Sequence, residues 1–316
     1  MLRVIAKGIF ASLFAIPLIC YGVALQQRPE LRRYSSPQPL FQGIAYQRSH
    51  RLFPRPQLIH RVWIDLTAPG LTAWSTPSIH SLAPHLAPPA SEPPEGRRET
   101  LAKTATQALA DHRLQLVINA NFFFPFVEDA PWRTAPASSE PASLMGTAIA
   151  QSMVVSSAEA GWPAICFFAS PTAIDQRAVI SENGTCPAKT ETAVAGNLLL
   201  MNSGKPGEIK GENLTKSYPM VIAALDPSGQ ALQLILIDGK QPFYSEGITL
   251  PEIIQLLQDW QIHTAIRLDG GGSTSLAIAD TNGNPQRLNA VIQAKVPGRE
   301  RPVANHLGFY AQPLQP

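Results

Sequence analysis

The chain has 316 residues, 45% of them hydrophobic and 15% charged, which is enough apolar material for one large core. Its 25 basic and 23 acidic residues leave a formal charge of +2 and form no long basic run, so the electrostatic footprint of a nucleic-acid binder is missing. The sequence also lacks a G-x-S-x-G nucleophile elbow, an H-E-x-x-H metal motif and a P-loop lysine pattern.

In chain order, Arg3 and Lys7 precede an apolar stretch over 8–25, the charged-then-apolar order of an export segment. Residues 1–25 read either as a signal peptide cleaved after Ala24 or as an uncleaved membrane anchor. Both readings put the rest of the chain outside the cytoplasm: periplasmic, secreted, or associated with a membrane through residues 8–25. Residues 26–57 are arginine-rich and interrupted by Pro29, Pro37, Pro39, Pro54 and Pro56, the signature of a linker or surface arm.

The folded domain is expected over 58–316, beginning with a strand at 58–66. A flexible excursion rich in Pro, Ala and Ser follows over 69–96. Leu101, Ala105, Ala108 and Leu109 at helical spacing predict a helix over 99–112 that feeds a strand over 114–120. Residues 127–143 are again rich in proline and alanine, and 147–168 read as short strands. Cys166 and Cys186 are the two cysteines outside the export segment, and an oxidising compartment lets them pair as a disulfide.

Further strands are predicted at 192–201, 220–225 and 232–237, with a turn at 226–229. The clearest helix is 249–260: Thr249 caps it, Pro251 suits its first turn, and Glu252 returns the capping-box bond. Ile253, Leu256, Leu257 and Trp260 form its apolar stripe. The fold class expected is α+β, with a mixed, strongly bent β-sheet core and a few packed helices.

The candidate site centres on AIRLDGGGSTSLAIAD at 265–280, where Gly270, Gly271 and Gly272 separate two strand patterns. Residues without Cβ bring bare backbone N–H groups close to a ligand, with Asp269 at the lip of the loop. Asp269 is a candidate general acid or base, an acceptor for a substrate hydroxyl, or a cation ligand. The amides from Gly270 to Ser273 favour its ionised form, whereas an anionic substrate favours the protonated one. Ser273, Thr274 and Ser275 add hydroxyls, which serve either a ligand or the backbone.

Polar groups also end two other strand-like runs, Asn119 with Asn121 and then Asp238. Such groups are costly at the end of a buried strand unless paired or exposed to a cleft, so their convergence with Asp269 would make one polar pocket. Taken singly, each asparagine also reads as a turn-stabilising amide and Asp238 as an Asp-Gly corner. Asp269, Asp238 and Asn121 could together hold a divalent cation such as calcium, though their spacing is not diagnostic.

Arginine's planar fork suits phosphate, and Arg267, Arg299 and Arg301 flank or follow the loop. Arg267 shares a strand face with Asp269. His306 is either a site residue or a satisfied histidine. Glu246 reads either as a second proton-transfer carboxylate, since glycosidic cleavage commonly divides acid and base duties between two such groups, or as a solvated residue at the helix entry.

The pieces LVINANFF, AGNLLLMNSGKP, LILIDGKQPFYSEGITLPEIIQLL, AIRLDGGGSTSLAI and GRERPVAN, in that order, resemble the phosphodiester glycosidase family. The resemblance runs over about 58–310 and is strongest from Leu232 onward. It places the family's Asn-Gly-Gly-Phe-Phe on Asn119 to Phe123 with both glycines replaced, and its Asp-Gly-Arg on Asp238, Gly239 and Lys240. It implies hydrolysis of a glycosyl-1-phosphodiester, or a related glycan linkage, outside the cytoplasm. Asp269, Asp238 and Glu246 would be the catalytic carboxylates; Asn119, Asn121, Arg267, Gly270, Gly271, Gly272, Ser273, Thr274, Arg299, Arg301 and His306 would bind substrate. The family's Pro-Arg-Thr falls on Pro219, Met220 and Val221, so an arginine and a hydroxyl are lost. The alternative is a non-catalytic envelope protein that binds glycan or helps assemble polysaccharide.

Overall fold

The structure is a computed structural model that describes residues 21–23, 25–26, 28, 36–79, 98–130, 133–169 and 176–314. The chain is mostly β-sheet. Its central element is an eight-stranded sheet in the order Gln38–Phe41, Ile44–Arg51, Gln57–Asp65, Ala231–Ile237, Met220–Leu225, Thr264–Leu268, Leu198–Asn202 and Lys205–Pro206. Its inner strands are apolar on both faces because both faces are covered. In Ala231–Ile237, Leu232, Leu234 and Leu236 join one buried cluster while Ile235 and Ile237 join another.

On the first face the cover is sheet on sheet. Leu116, Ile118, Leu276, Leu307 and Phe309 come from a five-stranded sheet ordered Pro285–Arg287, Leu276–Ala279, Leu116–Asn119, His306–Tyr310 and Thr72–Ser75. Ile165, Phe167 and Val194 come from a second five-stranded sheet ordered Met153–Ser156, Ala148–Ala150, Thr190–Ala195, Ala164–Phe168 and Ala178–Ser181. On the other face lies the helix Leu250–Asp259, with the Thr249 and Glu252 capping box in place and Ile253, Leu256 and Leu257 buried. The helix Ala105–His112, capped by Thr104, covers the outer face of the first five-stranded sheet through Ala105, Ala108 and Leu109.

Several expectations are corrected. Residues 38–51 are not part of an arm: Gln38–Phe41 and Ile44–Arg51 extend the eight-stranded sheet, with Tyr46 opposite Val62 and Arg48 opposite His60. Ile44, Tyr46 and Arg48 alternate inward, and the buried arginine disguises that period-2 pattern. Pro37 precedes the edge strand Gln38–Phe41, Pro39 lies within it, and Pro54 and Pro56 lie between Ile44–Arg51 and Gln57–Asp65; Pro29 is outside the described residues. The run over 192–201 is two strands of different sheets, Thr190–Ala195 and Leu198–Asn202, divided at Gly196 and Asn197. The predicted helix begins only at Ala105, because Thr100–Leu101 is a strand.

The strand pairs with defined register are antiparallel rather than mixed, among them Ala231–Ile237 with both of its neighbours and Leu116–Asn119 with both of its own. Parallel neighbours need long crossovers, usually helical, and the domain holds few helices. The expected Cys166–Cys186 disulfide is formed, with the Cα atoms 5.8 Å apart. Most of the apolar 8–25 run lies outside the described residues, and no described helix is long and apolar enough to cross a membrane.

Candidate functional site

The helix Leu250–Asp259 delivers the chain into the strand Thr264–Leu268, which stops at Asp269. The Asp269 N–H donates to the Ala120 carbonyl (2.9 Å), and Asn119 Nδ2 donates to the Asp269 carbonyl (2.5 Å). Asn119 Oδ1 accepts from the Ser275 N–H (3.0 Å), so one amide side chain pins both ends of the glycine loop.

Between those pins the loop threads a narrow gap. Gly271 has φ +61° and donates its N–H to the Pro219 carbonyl (2.9 Å). A Cβ on Gly272 would strike the Arg301 guanidinium and Gln293 Oε1. The glycines are thus required by close approach and by a left-handed dihedral.

This loop forms one wall of a cavity of about 470 Å³. Asp269 and Gly270 to Gly272 line it, together with Pro219, Met220, Lys240, Arg267, Arg301, Glu212, Asn213 and Tyr218. Phe122, Phe123, Phe124, Phe126 and Met145 supply an apolar part of the lining. These aromatic residues follow the strand Leu116–Asn119, and Phe123–Phe124 pairs with Pro141–Leu144 in a separate three-stranded sheet.

Asp269 is 9% exposed, and its pKa is raised to about 6. Burial is the main cause; a hydrogen bond from Ser273, the charge of Arg301, the Gly270 amide and the charge of Lys240 act the other way and hold the shift to that size. A carboxyl poised there changes protonation state near neutral pH, as proton-transfer groups require. Arg301 is itself fixed: Nη1 donates to Ser273 Oγ (3.0 Å), Nε donates to Gln293, and the guanidinium lies 4.5 Å from the centre of the Phe126 ring. Arg267 lines the cavity but is engaged by Glu212, which accepts from both of its terminal nitrogens (3.2 and 2.6 Å), and by Asn197 (3.0 Å).

Other predicted residues are not brought to this cavity. Asp238 is fully buried and its carboxylate accepts from His60 Nε2 (3.0 Å), Asn289 Nδ2 (3.0 Å) and the Ala290 N–H (2.8 Å). Asn121 is a clamp, donating to the carbonyls of Met145 and Thr147 and accepting from Ala195 N–H and Asn305 Nδ2. Asp269, Asp238 and Asn121 therefore do not meet as a cation site, and no cluster of three or more His, Cys, Asp or Glu suited to a metal occurs among the described residues.

Glu246 and Arg299 are half-buried outside the cavity lining. His306 lies in the sheet opposite Asn119, with Nδ1 3.1 Å from Thr76 Oγ1. Burial lowers its pKa to about 3, which keeps it neutral. Ser273 and Thr274 sit behind the loop glycines rather than in the lining. Nor is the glycine loop a free set of amides: the N–H groups of Gly271, Ser273 and Thr274 donate to Pro219, Gly270 and Gly271 carbonyls. Lys240 and Arg301 are the lining cations whose charge acts on Asp269.

Sequence reasoning missed the aromatic wall, Glu212, Asn213 and Tyr218, and met Lys240 only as a motif position. The run FFFPF after a strand was a usable signal, since large apolar rings there need a reason to be placed at a strand end. Glu212 lies in an irregular polar segment with no pattern to mark it.

A family model described as phosphodiester glycosidase matches residues 112–310, which hold every cavity residue named above. No match is found among curated proteins. The catalytic domain of zebrafish N-acetylglucosamine-1-phosphodiester alpha-N-acetylglucosaminidase, in a form auto-inhibited by its pro-peptide, is similar with a TM-score of 0.57 at 13% identity, over 89% of this chain and 86% of that one. A hypothetical protein from Synechocystis is similar with a TM-score of 0.56 at 15% identity, over 87% of this chain and 64% of that one. The chain thus spans less than two thirds of the Synechocystis protein. At such identities the likeness is one of fold.

Proposed function

The chain belongs to the phosphodiester glycosidase family, and from that premise we propose that its cavity hydrolyses a glycosyl-1-phosphodiester, with Asp269 as the general base. The observation that carries this reading is the Asp269 carboxyl, buried with a pKa near 6 beside Lys240 and Arg301.

The other carboxylate in the described lining, Glu212, is held by Arg267, so the cavity does not offer two unencumbered carboxyls to share acid and base duties. This reaction does not need them. The leaving group is a phosphate monoester, whose charge is stabilised by cations rather than by a proton delivered at the bond. Ionised Asp269 takes a proton from water as the oxygen attacks the anomeric carbon. The bond from that carbon to the phosphate oxygen breaks, and its electron pair stays with the phosphate. Free sugar and a phosphomonoester leave, and Asp269 returns its proton to solvent.

Lys240 and Arg301 hold the phosphate, while Glu212, Arg267 and Asn213 offer donors and acceptors for sugar hydroxyls. We place this activity outside the cytoplasm; the Cys166–Cys186 disulfide and the charged-then-apolar start of the chain support that placement. The test is release of free sugar from a panel of sugar-1-phosphodiesters by the purified protein. Turnover of at least one member is expected. Glycan binding with no turnover across the panel favours the non-catalytic envelope protein instead.

A further inference from the structure

We infer that the substrate's leaving group is apolar: a sugar 1-phosphate esterified to an alkyl or prenyl alcohol whose chain lies along the phenylalanine wall. This names the substrate class for the glycosidase reading above and rests on it for the position of the sugar.

The lining is divided by chemistry as well as by strand. Groups able to bond hydroxyls or phosphate, Glu212, Asn213, Arg267, Asp269 and Lys240, all come from beyond residue 210. The apolar wall comes from Phe122, Phe123, Phe124, Phe126 and Met145, of which Phe123 and Phe124 form a strand of the small three-stranded sheet. Four phenylalanines offer no donor or acceptor, so a hydroxylated leaving group placed there would lose its hydration without replacement. Among the described residues that wall holds no tyrosine or tryptophan, which combine a ring with a polar tip; Tyr218 lines the cavity from the segment after residue 210.

Exposure points the same way. Phe124 and Phe126 are 40% and 46% exposed, a contiguous apolar surface left open beside a polar site. Arg301 marks the junction, because its guanidinium lies over the Phe126 ring and its charge acts on Asp269. A phosphate held at Arg301 and Lys240 would therefore have the sugar on one side and the apolar wall on the other. Met220 and Met145 add adaptable apolar surface at the same cavity.

The test uses the full chain and a series of sugar 1-phosphate esters running from methyl to octyl. A glyceryl ester and a nucleoside diphosphate sugar serve as comparators. Calorimetric Kd and sugar release are measured on each. The expected result is a Kd that falls about fourfold per added methylene over the first several carbons. Phe124→Ser and Phe126→Ser should each flatten that slope, and Phe124→Leu should retain most of it. A Kd that does not change with chain length overturns the inference, as does tighter binding of the glyceryl ester or the nucleotide sugar than of the hexyl ester. A steep Kd series with no sugar released from any member keeps the apolar subsite and refutes the hydrolytic reading. Equal turnover of all esters with a flat Kd series does the reverse.

Discussion

Asp238 and Asp269 both stand at the end of an apolar strand and both precede glycine, yet the fold puts them to opposite uses. Three donors from two segments close on the Asp238 carboxylate: His60 from a neighbouring strand, and Asn289 and the Ala290 amide from a loop. The chain of contacts continues outward, since Tyr46 Oη lies 2.7 Å from His60 Nδ1 and accepts from Arg48 Nε (3.0 Å). Asn289 also donates to the Thr274 carbonyl (3.1 Å), which ties this network to the glycine loop. Asp269 instead has its carboxyl at a cavity, with a pKa that burial raises. A strand-end aspartate is thus a keystone when donors distant in sequence meet its oxygens, and on the proposed function a reagent when it borders a cavity.

Exchanging the two carboxylates for neutral groups is the sharpest way to break that contrast. Asp269→Asn should lower turnover by about 10² to 10⁴-fold, the range for loss of a positioned acid or base, while its thermal midpoint stays at or above that of the parent. Asp238→Ala should do the opposite first. It leaves His60, Asn289 and the Ala290 amide without their acceptor, at a cost of about 3 to 5 kcal/mol in urea or thermal unfolding.

The pH dependence of stability is a further test of Asp269. Asp269 has its folded pKa raised from 3.8 to about 6, so the native state holds the proton more firmly than the unfolded chain. Its contribution is complete below pH 3.8 and is lost as pH rises through about 6. It amounts to about 3 kcal/mol, and Asp269→Asn should remove that slope from the unfolding free energy. Lys240→Met is the mildest of the three substitutions: it should raise KM for a phosphodiester about tenfold, and the parent's KM should rise with salt as the Lys240 contribution is screened.

The elements that were legible in the sequence are those whose local signals and tertiary setting agree. The capping box at Thr249 and Glu252, the strand Met220–Leu225 and the glycine loop each declare themselves through several consistent residues. What was illegible depended on partners distant in sequence. Arg48 reads as a surface charge until its bonds to Tyr46 and the Leu288 carbonyl bury it, which is why a sheet strand was taken for an arm. Asn119 and Asn121 are neighbouring signals of one type, yet one pins the glycine loop and the other clamps a separate sheet, a difference set by contacts 24 to 184 residues away for Asn121 and 150 to 156 for Asn119. Likewise nothing near residue 238 announces His60, so convergence could be proposed from sequence but only geometry could decide which strand ends share a cavity.

The account is tested most directly by the pH profile of kcat/KM for a sugar-1-phosphodiester, measured in parallel on the parent protein and Asp269→Asn. With Asp269 as the base, the parent's rate should climb as pH passes through about 6 and then level, and the variant should be slow and flat across the same range. A rate that falls through pH 6, or a variant that keeps the parent's rate and profile, would contradict it.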